Sequence, residues 1–105
     1  MLTEFVTFTK EILMKEKAYL DLTKADNASA NMGCNNLGFP YVVKSNNKIE
    51  FRDGFATRMA CEDMLLEYEF SKALPKMTNY SVAGHRLTLT NEKGDKMVFV
   101  AQDWD

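Results

Sequence analysis

Apolar and polar side chains alternate in short segments along most of the chain, and a period of two residues predicts β-strands. Residues 19–23 illustrate the pattern, with Leu20 and Leu22 on one side of the backbone and Tyr19 and Asp21 on the other. The predicted strands cover residues 4–9, 19–23, 28–32, 41–43, 49–51, 80–82, 86–90 and 96–100. Polar turns separate them, so neighbouring strands are expected to pair as antiparallel hairpins.

The turn at 45–47 is the most informative of these connections, since asparagine tolerates the left-handed backbone that a tight hairpin requires. The pattern of residues 11–17 is compatible with a helical turn and with an irregular connection, and it does not distinguish between them.

Residues 61–74 change to a helical period, with Leu66 and Phe70 on one face, and Pro75 ends the predicted helix. No strand–helix–strand alternation precedes or follows it, which excludes a parallel sheet. We therefore expect an α+β fold in one domain, residues 1–105. It is a curved antiparallel sheet that forms a partly open, cracked β-barrel with one helix packed on it. Its predicted core is Phe51, Leu66, Phe70, Leu87, Leu89 and Phe99.

The amino-acid composition makes some classes of binding partner improbable. The chain has 105 residues, 46% of them hydrophobic, and 13 basic against 15 acidic side chains give a formal charge of -2. No basic cluster could replace the counterions of a nucleic acid, so we expect no nucleic-acid partner. The apolar runs are far shorter than the roughly 20 residues of a membrane span. Membrane attachment would require a lipidated leader that is removed or absent from this chain.

The two cysteines, Cys34 and Cys61, admit a disulfide, a metal pair or two buried thiols. A metal site is disfavoured because the chain has one histidine, His85, and no Cys-x-x-Cys motif, so we expect no metal and no cofactor. Buried thiols are ordinary in an intracellular protein. A disulfide is the preferred interpretation if the compartment is oxidising.

Several motifs together resemble one known family, the META domain, over residues 5–103. They are Gly33-Cys34-Asn35, residues 51–61, Glu67, Phe70, Tyr80, residues 87–89 and Phe99. That family includes bacterial heat-shock-inducible lipoproteins of the outer envelope. The resemblance implies a cracked barrel interrupted by a helix, similar to a type III secretion pilot protein, and no enzymatic activity. It also implies a stress-associated, periplasmic or outer-membrane-anchored location, with a cytoplasmic one left open.

Two departures from the family pattern concern aromatic positions. Leu37 and Phe39 occupy places where the family has an aromatic residue and a glycine, so we expect the loop entering the second hairpin to be rebuilt. The family's early tryptophan is absent, and Phe5 or Phe8 is expected to replace it. Trp104 lies at the other end of the chain.

The candidate binding residues are Asn35, Arg58 and Met59. For Asn35 the competing interpretation is a bond from its side chain to the turn backbone, next to a Gly33 that permits a positive φ. For Arg58 it is an ion pair with an acidic residue near the helix, Glu67 or Asp63.

Methionines and two further polar residues also have a structural and a functional interpretation. Seven methionines are present, and Met59, Met64, Met77 and Met97 are expected either to line one apolar region or to fill the core. Thr57 is a candidate helix cap. His85 is expected in a turn, without the neighbours that a general base needs.

Two functions remain. The first is a monomeric, non-enzymatic envelope module that binds a protein segment, a lipid or another apolar small molecule. The alternative is a structural or inhibitory domain that presents a surface loop, such as 37–41, to a partner enzyme. A cavity open to solvent would favour the first, and a filled core with a protruding loop the second.

Overall fold

A computed structural model of the chain describes residues 1–5, 8–24, 26–57 and 59–101. Within these ranges the strands are β1 (Leu2–Phe5), β2 (Tyr19–Asp21), β3 (Asn27–Asn31), β4 (Asn36–Lys44), β5 (Lys48–Phe51), β6 (Phe55–Ala56), β7 (Asn79–Ala83), β8 (Arg86–Thr90) and β9 (Lys96–Val100). The helices are α1 (Lys10–Lys15) and α2 (Leu65–Ala73), and α2 continues into a short 3₁₀ turn over Leu74–Lys76.

The strands form one antiparallel sheet in the order β1-β9-β8-β7-β5-β4-β3-β2, with β6 paired to β4 outside this path. The first and last strands of this order, β1 and β2, approach each other because the sheet curves. At this point the amide of Leu2 donates to the carbonyl of Ala18 at 2.9 Å. The result is a nearly closed, barrel-like sheet with one unsealed seam between β1 and β2. The predicted α+β cracked barrel is confirmed.

Helix α2 packs onto the barrel through Phe70, which is fully buried. The ring of Phe70 contacts Phe5 on β1 and Phe39 on β4 edge to face, with ring centroids 6.1 and 6.2 Å apart. Because β1 and β4 lie in different parts of the strand order, this one side chain ties distant parts of the sheet together. Phe5 is buried and stacks on Phe8, and their replacement of the family's tryptophan stays a prediction.

The core matches the sequence prediction closely. Five of the six predicted residues are buried, and Leu87 is partly buried against them. The prediction is correct for the antiparallel strands β7 to β9, which form a meander. Alternation along β8 and β9 directs Leu89, Met97 and Phe99 to the same interior. The turn at 45–47 is also confirmed, since Asn46 and Asn47 adopt φ of 60° and 58°.

The end of the first strand and the start of α2 differ from the prediction, and the open choice for segment 11–17 is decided in favour of a helix. The strand predicted at 4–9 instead ends at Phe5, and α1 begins at Lys10, where Thr9 Oγ1 accepts a bond from the amide of Ile12. Helix α2 begins at Leu65, not at residue 61. The side chain of Asp63 accepts from the Leu65 amide at 3.0 Å, which satisfies a donor of the first turn and sets the start of the helix there.

The prediction of a rebuilt loop before the second hairpin, at residues 37–41, is wrong. These residues belong to β4, which continues through Pro40 and pairs with β3 on one side. Leu37 and Phe39 are buried, so the residues that depart from the family pattern supply the core. Segment 37–41 therefore presents no loop to a partner.

Candidate functional site

The two cysteines form a disulfide, Cys34–Cys61, with their Cα atoms 6.1 Å apart. It joins the turn after β3 to the segment that leads into α2. This confirms the disulfide interpretation over the metal pair and the buried thiols. Gly33, immediately before it, has φ of 104° as predicted, and a Cβ there would collide with the carboxylate of Glu16.

Asn35 lies beside the disulfide and is the centre of a buried network. Its backbone amide donates to Glu67 Oε1 at 2.7 Å and its Nδ2 donates to Glu67 Oε2 at 2.9 Å, so the carboxylate is bound at both oxygens. Its Oδ1 accepts from the Met59 amide at 2.7 Å and from the Thr57 hydroxyl at 2.9 Å. Asn35 is 3% exposed and Glu67 is 7% exposed. One side chain thus connects the turn after β3, the 57–59 segment and α2.

The three predicted binding residues have different outcomes. The structure brings Asn35 and Met59 together, but through the Met59 backbone, while the Met59 side chain is 54% exposed. Arg58, with its predicted ion pair, lies outside the described residues. Ligand contact at all three stays a prediction. Thr57 does not cap α2; its hydroxyl accepts from the amide of Asn36.

A larger feature, which the sequence patterns did not indicate, is an open groove of about 1000 Å³ along the seam of the barrel. One wall is β2 and the residues after it, and the other is formed by the start of β8 and the end of β9. The apolar lining consists of Met1, Met14, Ala18, Tyr19, Leu20, Leu22, Val82, Leu87, Phe99, Val100 and Ala101. We call this feature the seam groove.

Three charged side chains belong to the lining of the seam groove, and two of them are positive and one is negative. Lys17 and Arg86 contribute cations and Asp21 an anion. The hydroxyl and backbone amide of Thr23 both donate to Asp21 Oδ1, at 2.6 and 2.8 Å, and these bonds hold the pKa of the Asp21 carboxyl below its ordinary value. The carboxylate of Asp21 is therefore already engaged locally, whereas within the described residues neither Lys17 nor Arg86 forms a salt bridge.

The family model of the META domain matches residues 3–104, nearly the whole chain. The chain belongs to the META domain family. An NMR structure of a protein from Burkholderia xenovorans is similar, with 26% identity and a TM-score of 0.63, over 74% of this chain and 57% of that one. The chain thus spans little more than half the length of that protein.

A crystal structure of a DUF4847 family protein from Bacteroides vulgatus has a TM-score of 0.66 over 91% of this chain and 67% of that one. Its 12% identity makes this a likeness of fold alone. The comparison with curated proteins found no match. Together these similarities assign a family and a fold to the chain, and no reaction.

The remaining predicted groups of this META domain have mostly structural positions. His85 is exposed in the turn between β7 and β8, and its carbonyl accepts from the amide of Ala101. Met77 and Met97 are buried and fill the core, as one of the two interpretations predicts, whereas Met59 is exposed, so the four methionines do not line one apolar region.

Metal ligands and membrane spans both have recognisable structural signatures. In the part of the chain that the structure describes, no three His, Cys, Asp or Glu side chains converge as a metal ion would require. Nor does any helix there have the length and apolar composition of a membrane span.

Proposed function

We propose that this META domain is a non-enzymatic module of the bacterial envelope that binds a protein segment or an apolar ligand in the seam groove. The observation that carries the proposal is the groove itself. It is open to solvent and holds about 1000 Å³, at the upper end of the range of ordinary ligand sites. A cavity of this kind is the feature that separates a binding module from a loop-presenting domain.

The chemistry of the lining favours binding over catalysis. Leu20, Leu22 and Leu87 are only partly buried although they pack against the core. An apolar occupant would remove the rest of their surface from water, at roughly 25 cal/mol for each Å² buried. Apolar residues are the majority of the lining, although Lys17, Asp21 and Arg86 are among it, which suits recognition mainly by shape and apolar contact.

The location in the envelope is supported by the disulfide and by the family. A bond such as Cys34–Cys61 forms and persists in an oxidising compartment, and the periplasm is the bacterial one. A role in a stress response and anchoring by a lipidated leader rest on the family resemblance. The alternative, a structural or inhibitory domain that presents a surface loop to a partner enzyme, loses the loop that was its example, because 37–41 is a paired strand.

Binding of a neutral apolar dye, N-phenyl-1-naphthylamine, tests the proposal directly. The folded protein should enhance the fluorescence of the dye, and decanoate should displace it. Leu22→Arg places a cation in the groove and should weaken dye binding at least tenfold.

The matched control is Val43→Arg, because Val43 is 55% exposed on β4 and is not part of the groove lining. This variant should bind the dye as the parent does. Equal binding by Leu22→Arg and the parent, or no binding of any apolar probe by the folded parent, would contradict the proposal.

A further inference from the structure

The two cysteines are held close together by contacts that do not involve sulfur. Asn35 directly follows Cys34 in the chain, and Met59 lies two residues before Cys61. The Asn35 side chain binds both backbone groups of Met59: its Oδ1 accepts from the amide at 2.7 Å, and its Nδ2 donates to the carbonyl at 3.3 Å. The side-chain amide therefore pairs with Met59 as a neighbouring strand would, and it fixes the backbone close to each cysteine.

Backbone pairing attaches the same segment to β4 a few residues earlier. Ala56 on β6 is opposite Leu37, and the Thr57 amide donates to the Asn36 carbonyl at 3.1 Å. The Thr57 hydroxyl donates to Asn35 Oδ1 at 2.9 Å and accepts from the Asn36 amide at 3.0 Å. None of these bonds requires the disulfide, so the segment that approaches Cys61 has an attachment of its own.

The buried carboxylate of Glu67 determines which way the Asn35 amide group points. One carboxylate oxygen accepts from the backbone amide of Asn35 and the other from its Nδ2, at 2.7 and 2.9 Å. A carboxylate accepts hydrogen bonds and donates none, so Nδ2 faces Glu67 and Oδ1 is left to face the Met59 amide. Because Glu67 belongs to α2, the packing of the helix sets the position of this attachment.

These attachments shorten the loop that oxidation has to close. The cysteines are 27 positions apart along the chain, and closing an unrestrained loop of that length carries an entropic cost. Once Asn35 is bonded to Met59, the path between the sulfurs contains only a few residues. The Cα atoms of the cysteines are 6.1 Å apart, and Cys34 Sγ lies 3.8 Å from the Met59 carbonyl oxygen. Groups held in this way react as if at a high local concentration.

The two cysteines differ in their access to solvent. Cys34 is 9% exposed and precedes the buried Asn35, whereas Cys61 is half-buried and lies between the exposed Ala60 and Glu62. Thiol–disulfide exchange begins with the attack of an accessible thiolate on a disulfide sulfur. Cys61 is therefore the cysteine that an external oxidant reaches first.

We propose that Asn35 is a positioning residue for the oxidation of the two cysteines. It holds the thiols of Cys34 and Cys61 together in a reduced domain that is already folded, so the disulfide forms last, by reaction with a disulfide-bearing oxidant. This inference goes beyond the proposed function and does not depend on the seam groove.

The reaction has two exchange steps. The Cys61 thiolate attacks one sulfur of the oxidant, the S–S bond of the oxidant breaks, and its other sulfur leaves as a thiolate that takes up a proton. The Cys34 thiolate then attacks Cys61 Sγ, and the second oxidant sulfur leaves in the same way. Two cysteine thiols are oxidised and one oxidant disulfide is reduced to two thiols, so two electrons and two protons are transferred.

Amide hydrogen exchange followed by NMR on the reduced parent tests whether the attachment exists without the disulfide. The Met59 amide should exchange at least tenfold more slowly than an unstructured amide of the same sequence, since its acceptor is Asn35 Oδ1. A reduced parent that is unfolded, or a Met59 amide without protection, would overturn the proposal.

The rate of the closing step tests the role of Asn35. Reduced protein is mixed with glutathione disulfide, samples are quenched with acid, and mass spectrometry follows the mixed disulfide and its conversion to the closed form. Asn35→Ala should slow the closing step at least tenfold, and Asn36→Ala should leave it unchanged. Leu89→Ala is the control for lost stability, because it lowers stability in the core and leaves the Asn35 bonds intact.

All variants are compared in trimethylamine N-oxide, at a concentration at which circular dichroism shows each reduced form to be folded. Leu89→Ala should then close at nearly the parent rate. Equal closing rates for Asn35→Ala and Leu89→Ala would mean that stability alone governs closure, and would overturn the positioning role.

Single-cysteine variants test the order of attack. Under the same conditions, Cys61 in Cys34→Ser should form the mixed disulfide with glutathione at least tenfold faster than Cys34 in Cys61→Ser. In urea, where both variants are unfolded, the two rates should become similar. Equal rates in the folded variants would overturn the assignment of Cys61 as the first cysteine to react.

Discussion

Replacing Asn35 with alanine should destabilise the fold strongly, because the side chain of Asn35 is the centre of the buried network. The change removes four hydrogen bonds made by the side chain, two to Met59, one to Thr57 and one to the Glu67 carboxylate. Of its bonds to described residues, the buried carboxylate then keeps the one from the backbone amide of residue 35.

The magnitude follows from what remains unpaired. A neutral hydrogen bond contributes about 1 kcal/mol net and one to a charged group about 1.5 to 3 kcal/mol, with a further cost for each buried group left without a partner. Allowing for water that enters the space, we expect a loss of about 3 to 5 kcal/mol for Asn35→Ala. The free energy of unfolding of a small domain is about 5 to 15 kcal/mol in total, so the loss is a large fraction of its stability.

Urea unfolding followed by circular dichroism, with the disulfide intact, measures this change in the free energy of unfolding. Asn36→Ala is the matched control, because Asn36 is the neighbouring residue of the same type, is exposed, and its Oδ1 accepts one bond, from Asn31 Nδ2. That control should cost less than about 1 kcal/mol. Equal costs for the two variants would refute the assignment of the network as a main source of stability.

A double-mutant cycle with Glu67→Gln tests whether the two residues act together. Glutamine has nearly the shape of glutamate, but one of its side-chain atoms is a donor facing the donors of Asn35. We expect a coupling energy above about 1 kcal/mol between the two positions, because the Asn35 side chain donates a buried bond to the Glu67 carboxylate, whereas the bond from the backbone amide of residue 35 is present in every variant of the cycle. Additive effects would mean that the side-chain bond contributes little.

Three further predictions concern other parts of the molecule. The parent should be two daltons lighter without reductant than after reduction, and Cys34→Ser, which opens a loop with a separation of 27 residues, should cost about 3.5 kcal/mol in thermal unfolding. Leu89→Ala should cost about 2 to 5 kcal/mol in urea, and Leu65→Ala, with its side chain exposed, far less; similar costs would contradict the core assignment. Bonds from Lys44 and Arg52 hold the pKa of Glu50 below its ordinary value, so the pairing is lost as pH falls through that lowered pKa, and Lys44→Met should raise the midpoint in a carbon-13 NMR titration.

The strands were the part of the fold that could be predicted from the sequence. In the meander, β8 and β9 were predicted with the bounds that the structure has, because alternating side chains bounded by glycine-containing turns determine both face and register locally. The start of α2 could not be predicted in the same way. It depends on Asp63 and on a disulfide at Cys61, and helical periodicity contains no information about either.

The buried network could have been predicted in part. Glu67 lies three residues before Phe70, on the buried face of the helix, and a carboxylate there requires an internal donor. From the sequence alone an arginine is the expected partner of Glu67, since the opposite charge is the obvious match. The actual donor is Asn35, and a pairing of residues 32 positions apart along the chain gives no local signal.

The seam groove lay beyond sequence patterns for a different reason. Alternation in β2 predicts that Leu20 and Leu22 face inward, which is true, but it does not reveal whether another strand covers the adjacent edge. That depends on how far β1 extends along β2 once the sheet has curved almost into a ring. An unpaired edge is a property of closure, and closure is decided by all the strands together.

The Asn35 network and the seam groove lie on different sides of the β2–β3 hairpin. A mutation in the network can therefore be used to test whether the network affects binding in the groove. The Asn35 network follows the end of β3 at Asn31, opposite Tyr19, whereas the groove lining includes every residue of β2 and continues beyond it to Thr23. A rigid clamp at one end leaves the seam free to remain open at the other. If so, Asn35→Ala should lower stability while the folded fraction keeps the dye affinity of the parent. A parallel loss of both would show instead that the clamp shapes the groove.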